Sequence, residues 1–392
     1  MKWMRLSMIT IAVAAMAMLA APSSQAQAYK VLYSFTGGAD GGYPGAGVIQ
    51  DAKGNLYGTT ENGGNTSCAG GCGTIFTLSK AGHETVLYSF AGGADGSFPS
   101  GGVIRDRQAN LYGTTENGVP NNAGTVFQLS KSGKETALYS FTGGADGSNS
   151  TAGVIQDAKG NLYGTTQVGG ATNNGTVFKL SKTGKETVLY SFCSVSQCTD
   201  GGNPHKGVIQ DANGTLFGTT LLGGDPCDCG VVYKLSIAGK EVVLHTFTGG
   251  ADGANPNSGV IQDAHGNLYG TTYYGGAYNS GTLFKLSKSG KETVLYSFTG
   301  GADGSSPSGG LIRDAKGNVF GTTEAGGAYG YGTVFKVSRR NKETVLYSFT
   351  GKAGDGATPT AGVIQDAQGN LYGTTYSGAY GYGTVFKLTP SI

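Results

Sequence analysis

One motif, written seven times, constrains this chain more than any other feature. Its most regular copy runs Gly153-Val-Ile-Gln-Asp-Ala-Lys-Gly-Asn-Leu-Tyr-Gly-Thr-Thr166, and the first glycine recurs at Gly47, Gly102, Gly207, Gly259, Gly310 and Gly362. The copies lie 51 to 55 residues apart, a period typical of repeat architectures. In the third copy, four extended runs alternate with turns: A from Gly153 to Asp157, B from Asn161 to Thr166, C from Gly175 to Ser181 and D from Glu186 to Phe192. The runs are rich in Val, Ile, Thr, Tyr and Phe, whose branched or flat side chains suit a pleated surface. Asp157-Ala-Lys-Gly160 and Ser181-Lys-Thr-Gly184 close A to B and C to D as hairpins, with glycine taking the positive φ. Four antiparallel strands per ~50 residues make a β-propeller blade. A parallel β-helix has a much shorter period, and a TIM barrel needs helical patterns between its strands. The predicted fold is all-β: a seven-bladed β-propeller of four-stranded antiparallel blades.

The two ends of the repeat predict how the ring closes. A D-type run, Lys30 to Phe35, precedes the first A run, and a C-type run, Gly383 to Leu388, has no D run after it. The N-terminal run is therefore expected to complete the last blade, leaving no long unpaired edge. Residues 29–392 then form a single propeller domain. Residues 1–28 are of another kind. Lys2 and Arg5 precede an apolar stretch from Met8 to Ala21, and Ala26-Gln27-Ala28 supplies the small side chains a signal peptidase reads. That stretch is shorter than the ~20 residues needed to span a bilayer. A secretory signal cleaved before Tyr29 is expected, with an extracellular or periplasmic destination and no transmembrane segment in the mature chain.

Composition supports both readings. Gly accounts for 72 of 392 residues, and each would cost a helix ~1 kcal/mol relative to Ala. Lys2 and Arg5 leave with the signal, so the 27 basic residues fall to match the 25 acidic ones. A neutral mature chain carries no footprint for nucleic acid. The Gly-Thr-Val-Phe-Lys-Leu run at Gly175–Leu180, preceded by a Gly-Gly loop, resembles the GloVer tandem-repeat family of exported bacterial proteins. The Asp-x-x-Gly-Asn-Leu-Tyr-Gly-Thr core at Asp157–Thr165 is similar to the propeller repeat of two-component sensor ectodomains. The resemblance spans essentially all of the mature chain. It implies a propeller and an extracytoplasmic location, and no established reaction.

The A–B and C–D turns are short and uniform, so they read as structural. The D–A and B–C loops vary in length and composition, which is where binding residues usually lie. Each D–A loop carries an Asp (Asp40, Asp95, Asp146, Asp200, Asp252, Asp303, Asp355), and each A–B turn carries another (Asp51, Asp106, Asp157, Asp211, Asp263, Asp314, Asp366). Seven carboxylates on one face could bind Ca²⁺. Recurrence in every repeat instead points to Asp capping a turn, and no metal site is assigned. Sevenfold equivalence also argues against paired catalytic carboxylates, which need unlike environments.

Tyrosine is more informative. Eight tyrosines (Tyr273, Tyr274, Tyr278, Tyr329, Tyr331, Tyr376, Tyr380 and Tyr382) fall in the B–C loops of three consecutive repeats, where they either stack on a ligand or cover glycine-rich loops. Glu61, Glu116 and Glu324 occupy the first B–C loop position where Tyr273 and Tyr376 do not, and could add polar contacts. The six cysteines lie in the variable loops and point to disulfides. Cys68–Cys72 suits a local bridge. Among Cys193, Cys198, Cys227 and Cys229, cross-loop pairing competes with 193–198, and 227–229 closes a very small ring; tetrahedral Zn²⁺ is the lesser alternative. No catalytic motif stands out, and no cofactor is assigned. The sequence therefore points to an exported, monomeric, non-catalytic binding protein whose partner is a glycan or an extracellular protein. The alternatives are a polysaccharide-acting lyase or hydrolase with its site at the channel mouth, or a purely structural surface protein.

Overall fold

A computed structural model of the chain describes residues 28–119, 121–378 and 380–389; the leader expected at the N-terminus lies outside them, save Ala28. Seven four-stranded antiparallel sheets form the blades of a ring. In the third blade the strands are Ile155–Gln156, Leu162–Thr166, Thr176–Leu180 and Glu186–Ser191, running from the channel outwards. The seventh blade is made from both ends of the chain. Ala28–Ser34 pairs antiparallel with Thr384–Thr389 as its outer strand, as the repeat ends predict. Among the described residues the one helical element is a 3₁₀ turn at Ser196–Cys198.

Each pair of adjacent blades shares one hydrophobic cluster, built on an aromatic pair. The Phe ending the D run of one blade meets the central C-strand aromatic of the next edge-to-face: Phe141–Phe178 at 5.1 Å, Phe192–Tyr233 at 5.0 Å, and across the seam Phe35–Phe76 at 5.1 Å. All six of these rings are fully buried. Such pairs are worth about 0.5–1.5 kcal/mol beyond the area they bury. The motif glycine of strand B follows from this ring. Gly164 is the cross-strand partner of Phe178, and a Cβ on it would lie 2.6 Å from the ring.

Two local features differ from the sequence reading. The A runs were expected to span about five residues, but the inner strands hold only two or three. The segments entering them crowd against each other around the channel: a Cβ on Gly153 would lie 2.3 Å from the Gly101 carbonyl oxygen. Backbone in such close contact has little space for a longer ladder. Every C–D pairing also contains a bulge, at Leu189 in the third blade. The bulge lets Leu189 and Tyr190 both join the same inter-blade cluster, so the D run lacks a clean alternation.

The repeated Asp residues act as turn caps. Asp146 accepts hydrogen bonds from the Tyr139 hydroxyl at 2.9 Å and the Thr142 amide at 2.7 Å. Asp157 accepts from the Lys159 and Asn161 amides at 2.9 Å each and from the Tyr163 hydroxyl at 3.1 Å. Burial pushes the equivalent Asp263 carboxyl up, but hydrogen bonds from Asn267, His265 and Tyr269 outweigh it and hold it at about 2. Six glutamates at the starts of D strands behave oppositely. Burial, then the Asp of the preceding D–A loop, pushes Glu84, Glu135, Glu186, Glu241, Glu292 and Glu343 up to about 7. One oxygen of each has no hydrogen-bond partner.

Two predictions follow from this packing. Gly164→Ala should force Phe178 off its place and cost about 1–3 kcal/mol in denaturant unfolding; an unchanged midpoint would contradict the close approach. The second concerns pH. A glutamate whose folded value exceeds its ordinary 4.5 contributes fully below 4.5, and that contribution is lost as pH rises through about 7. Asp263, depressed below its ordinary 3.8, contributes fully above 3.8 and loses it as pH falls toward 2. Melting temperature should therefore peak near about pH 5 and decline by about pH 8. Combining Glu135→Gln, Glu186→Gln and Glu292→Gln should flatten the alkaline decline; a melting temperature that climbs from about pH 5 to about pH 8 would contradict it.

Candidate functional site

The channel opens on the variable-loop face through a mouth built by two loop positions. The first is the residue after the proline of each D–A loop: Gly45, Ser100, Thr151, His205, Asn257, Ser308 and Thr360, with Thr151 following Ser150 where that proline is missing. The second is the opening residue of the B–C loop, contributed by Glu61, Glu116, Glu324 and Tyr376. Together with Lys206 they enclose about 180 Å³. Below lies a cavity of about 430 Å³ whose lining includes all seven repeat glycines, and Lys206 borders both spaces.

The mouth is electrostatically mixed. The Tyr376 hydroxyl donates to Glu61 Oε2 at 3.0 Å, joining the last blade to the first. Burial pushes the Glu61 carboxyl up to about 7 against the Tyr376 hydrogen bond, helped by Glu116 and opposed by Lys206. Burial lowers the Lys206 ammonium, against the carboxylates of Glu61 and Glu324. Burial, then the Lys206 charge, drops His205 to about 3, so its imidazole is neutral. A neutral base, a carboxyl near neutrality and an amine in one small cavity can hold a polar ligand or move a proton.

The eight loop tyrosines divide. Tyr278, Tyr329 and Tyr380 occupy the same loop tip in three consecutive blades and are exposed, Tyr380 to 71%. Tyr274 and Tyr331 are also exposed, and Tyr331 lies over Gly351 of the next loop. The other three are partly buried. Tyr273 packs edge-on against Tyr274 at 4.7 Å, Tyr376 is bound to Glu61, and Tyr382 lies over Gly37 and meets Tyr43 at 5.4 Å. Exposure and loop packing thus differ among members of the group.

The cysteines pair locally as Cys68–Cys72, Cys193–Cys198 and Cys227–Cys229. From sequence, cross-loop bridges compete for the last four and the very small 227–229 ring is disfavoured; the fold forms that ring instead. Cys227 and Cys229 face Gly249 of the following D–A loop, whereas Cys193 and Cys198 lie in the preceding one. The sequence reading named the three glutamates but missed Ser100, His205, Lys206, Asn257 and Ser308. A signal was available: Lys206 is the one charged residue at the second position after the proline site.

The Gloeobacter/Verrucomicrobia repeat model matches residues 21–227 and 193–386. No curated protein matches the chain. Among solved structures, the extracellular domain of a protein assigned to a one-component system of B. thetaiotaomicron is similar, with 11% identity and a TM-score of 0.57 over 92% of this chain. This chain spans 40% of that structure. A protein assigned as a 6-phosphogluconolactonase from Bacteroides uniformis ATCC 8492 aligns over 81% of this chain and 88% of its own, with 15% identity and a TM-score of 0.51. At these identities the likeness is one of fold. Among the described residues no helix is long and apolar enough to cross a membrane. With the repeat model matched across nearly the whole ring, the chain belongs to the Gloeobacter/Verrucomicrobia repeat family.

Proposed function

We propose that this propeller is an exported, non-catalytic protein that holds an extracellular glycan on its variable-loop face. The observation that carries the reading is the row of Tyr278, Tyr329 and Tyr380, exposed at one loop position in three consecutive blades. Exposed aromatic rings grouped on one face mark an interaction site more often than they serve stability. A tyrosine ring offers a flat apolar face to the C–H side of a sugar and a hydroxyl to its rim, at low entropic cost. Export is supported by the leader-like residues 1–28 and by three disulfides, which persist in oxidising compartments.

A second reading has one specific observation in its favour. The Glu61 carboxyl, at about 7 beside Glu116 and His205, has the poise of an acid–base group. Under that reading a polysaccharide would be cleaved, and Glu61→Gln would abolish turnover.

A thermal-shift screen of the mature protein against glycans and polymers, with and without Ca²⁺, tests the first reading, because a ligand selective for the folded state raises the melting temperature. Combining Tyr278→Ala, Tyr329→Ala and Tyr380→Ala should weaken the glycan found by about tenfold or more. These surface changes should leave stability within about 0.5 kcal/mol. Undiminished glycan binding by that variant, or binding only to extracellular proteins, would overturn the reading.

A further inference from the structure

The channel mouth carries polar atoms that nothing in the protein satisfies. Ser308 is 2% exposed, and its Oγ has no hydrogen-bond partner. Ser100 Oγ, His205 Nδ1 and Asn257 Oδ1 are likewise buried and unpartnered. All four belong to the residue after the D–A proline, and all four residues line the same cavity. The Lys206 ammonium stands among them with no ion pair within 4.0 Å, since the one such contact among the described residues is His245–Asp252. Leaving a buried polar group unpaired typically costs about 1–3 kcal/mol. Four at one place make a polar opening in which a ligand's own hydroxyls can take the place of solvent.

We infer that the mouth is a subsite for a single uncharged, hydroxyl-rich ring at the end of a glycan chain. This rests on the glycan reading above and adds a site separate from the tyrosine row. Hydroxyl groups both donate and accept, and the mouth offers both: Ser100 and Ser308 hydroxyls and the Lys206 ammonium on one side, Asn257 Oδ1 and the Glu116 and Glu324 carboxylates on the other. Charge is selected against in both directions. An anionic sugar meets three glutamates, and any charged ring, acidic or basic, must shed its hydration to enter a cavity this small, a cost that a neutral ring does not carry. The cavity of about 180 Å³ lies below the range of about 300–1,000 Å³ that takes drug-sized ligands, so one small ring is the fitting occupant. Lys206 borders both the mouth and the glycine-lined channel beneath, so a chain entering from the loops meets it before going deeper. Only a chain end can enter such a site.

Ligand-observed NMR and calorimetry on the mature protein test this with neutral hexoses and N-acetylhexosamines, the matching uronic acids and glucosamine. A neutral monosaccharide should bind one to one, with uronic acids and glucosamine weaker by about tenfold. Lys206→Met should weaken that monosaccharide about tenfold, whereas the triple tyrosine variant should leave it within about twofold. If Lys206→Met does not fold by circular dichroism, Asn257→Leu, which fills the mouth, should give the same loss. A glycan that binds through the tyrosines while no monosaccharide competes would overturn the subsite and leave the tyrosine reading standing. A uronic acid that binds more tightly than its neutral parent would overturn the selection for an uncharged ring. No binding by any glycan would overturn both readings.

Discussion

The ring depends on one contact repeated at every blade junction: the edge-to-face pair between the Phe that ends one blade and the central aromatic of the next. Each pair sits inside its own hydrophobic cluster, with Leu180 or its counterparts on one side and the bulged Leu of strand D on the other. The ring glycine of strand B is fixed by the same aromatic, because no side chain fits between them. Buried threonines add a polar link between blades: the Thr114 hydroxyl donates to the Ala152 carbonyl at 2.7 Å, and Thr374 to Ala46 at 2.8 Å across the seam. A seven-part ring stabilised junction by junction has no single centre. Its closure therefore relies on the N-terminal strand finding the last blade.

This division of labour leaves one face free. The A–B turns are closed by Asp caps whose carboxylate oxygens are occupied by backbone amides, Asn and Tyr. The D–A Asp residues are occupied in the same way, by Tyr hydroxyls and loop amides. On the variable-loop side, by contrast, four polar atoms at the mouth stay unpartnered and tyrosines stand exposed at the loop tips. There the repeat departs from its own pattern: His205 and Lys206 in one loop, glutamates opening three others, and tyrosines crowding the last three. A propeller makes such asymmetry inexpensive, because changes at loop positions do not reach the aromatic junctions.

Much of the fold was legible in the sequence because each blade restates it. The period gave the number of blades, and the unmatched runs at Lys30–Phe35 and Gly383–Leu388 gave the closure. The bulge at Leu189 was hidden, since a one-residue slip leaves no trace in composition. The short inner strands were hidden too, because their length is set by contacts between neighbouring blades rather than by Val154 and Ile155 themselves. The candidate site was half legible. Tyrosine clustering marks the right loops, yet nothing local separates exposed Tyr380 from Tyr382, which covers Gly37. Ser100, Asn257 and Ser308 look like ordinary turn residues until the ring brings them to one opening.

The most direct test is a crystal structure of the mature chain soaked with an oligosaccharide identified by screening. Sugar density should lie on the variable-loop face, with rings against Tyr278, Tyr329 or Tyr380 and the chain end directed at the mouth beside Lys206. Density confined to the face of the A–B turns, or an unoccupied loop face at saturating ligand, would contradict the assignment of this surface as the working one.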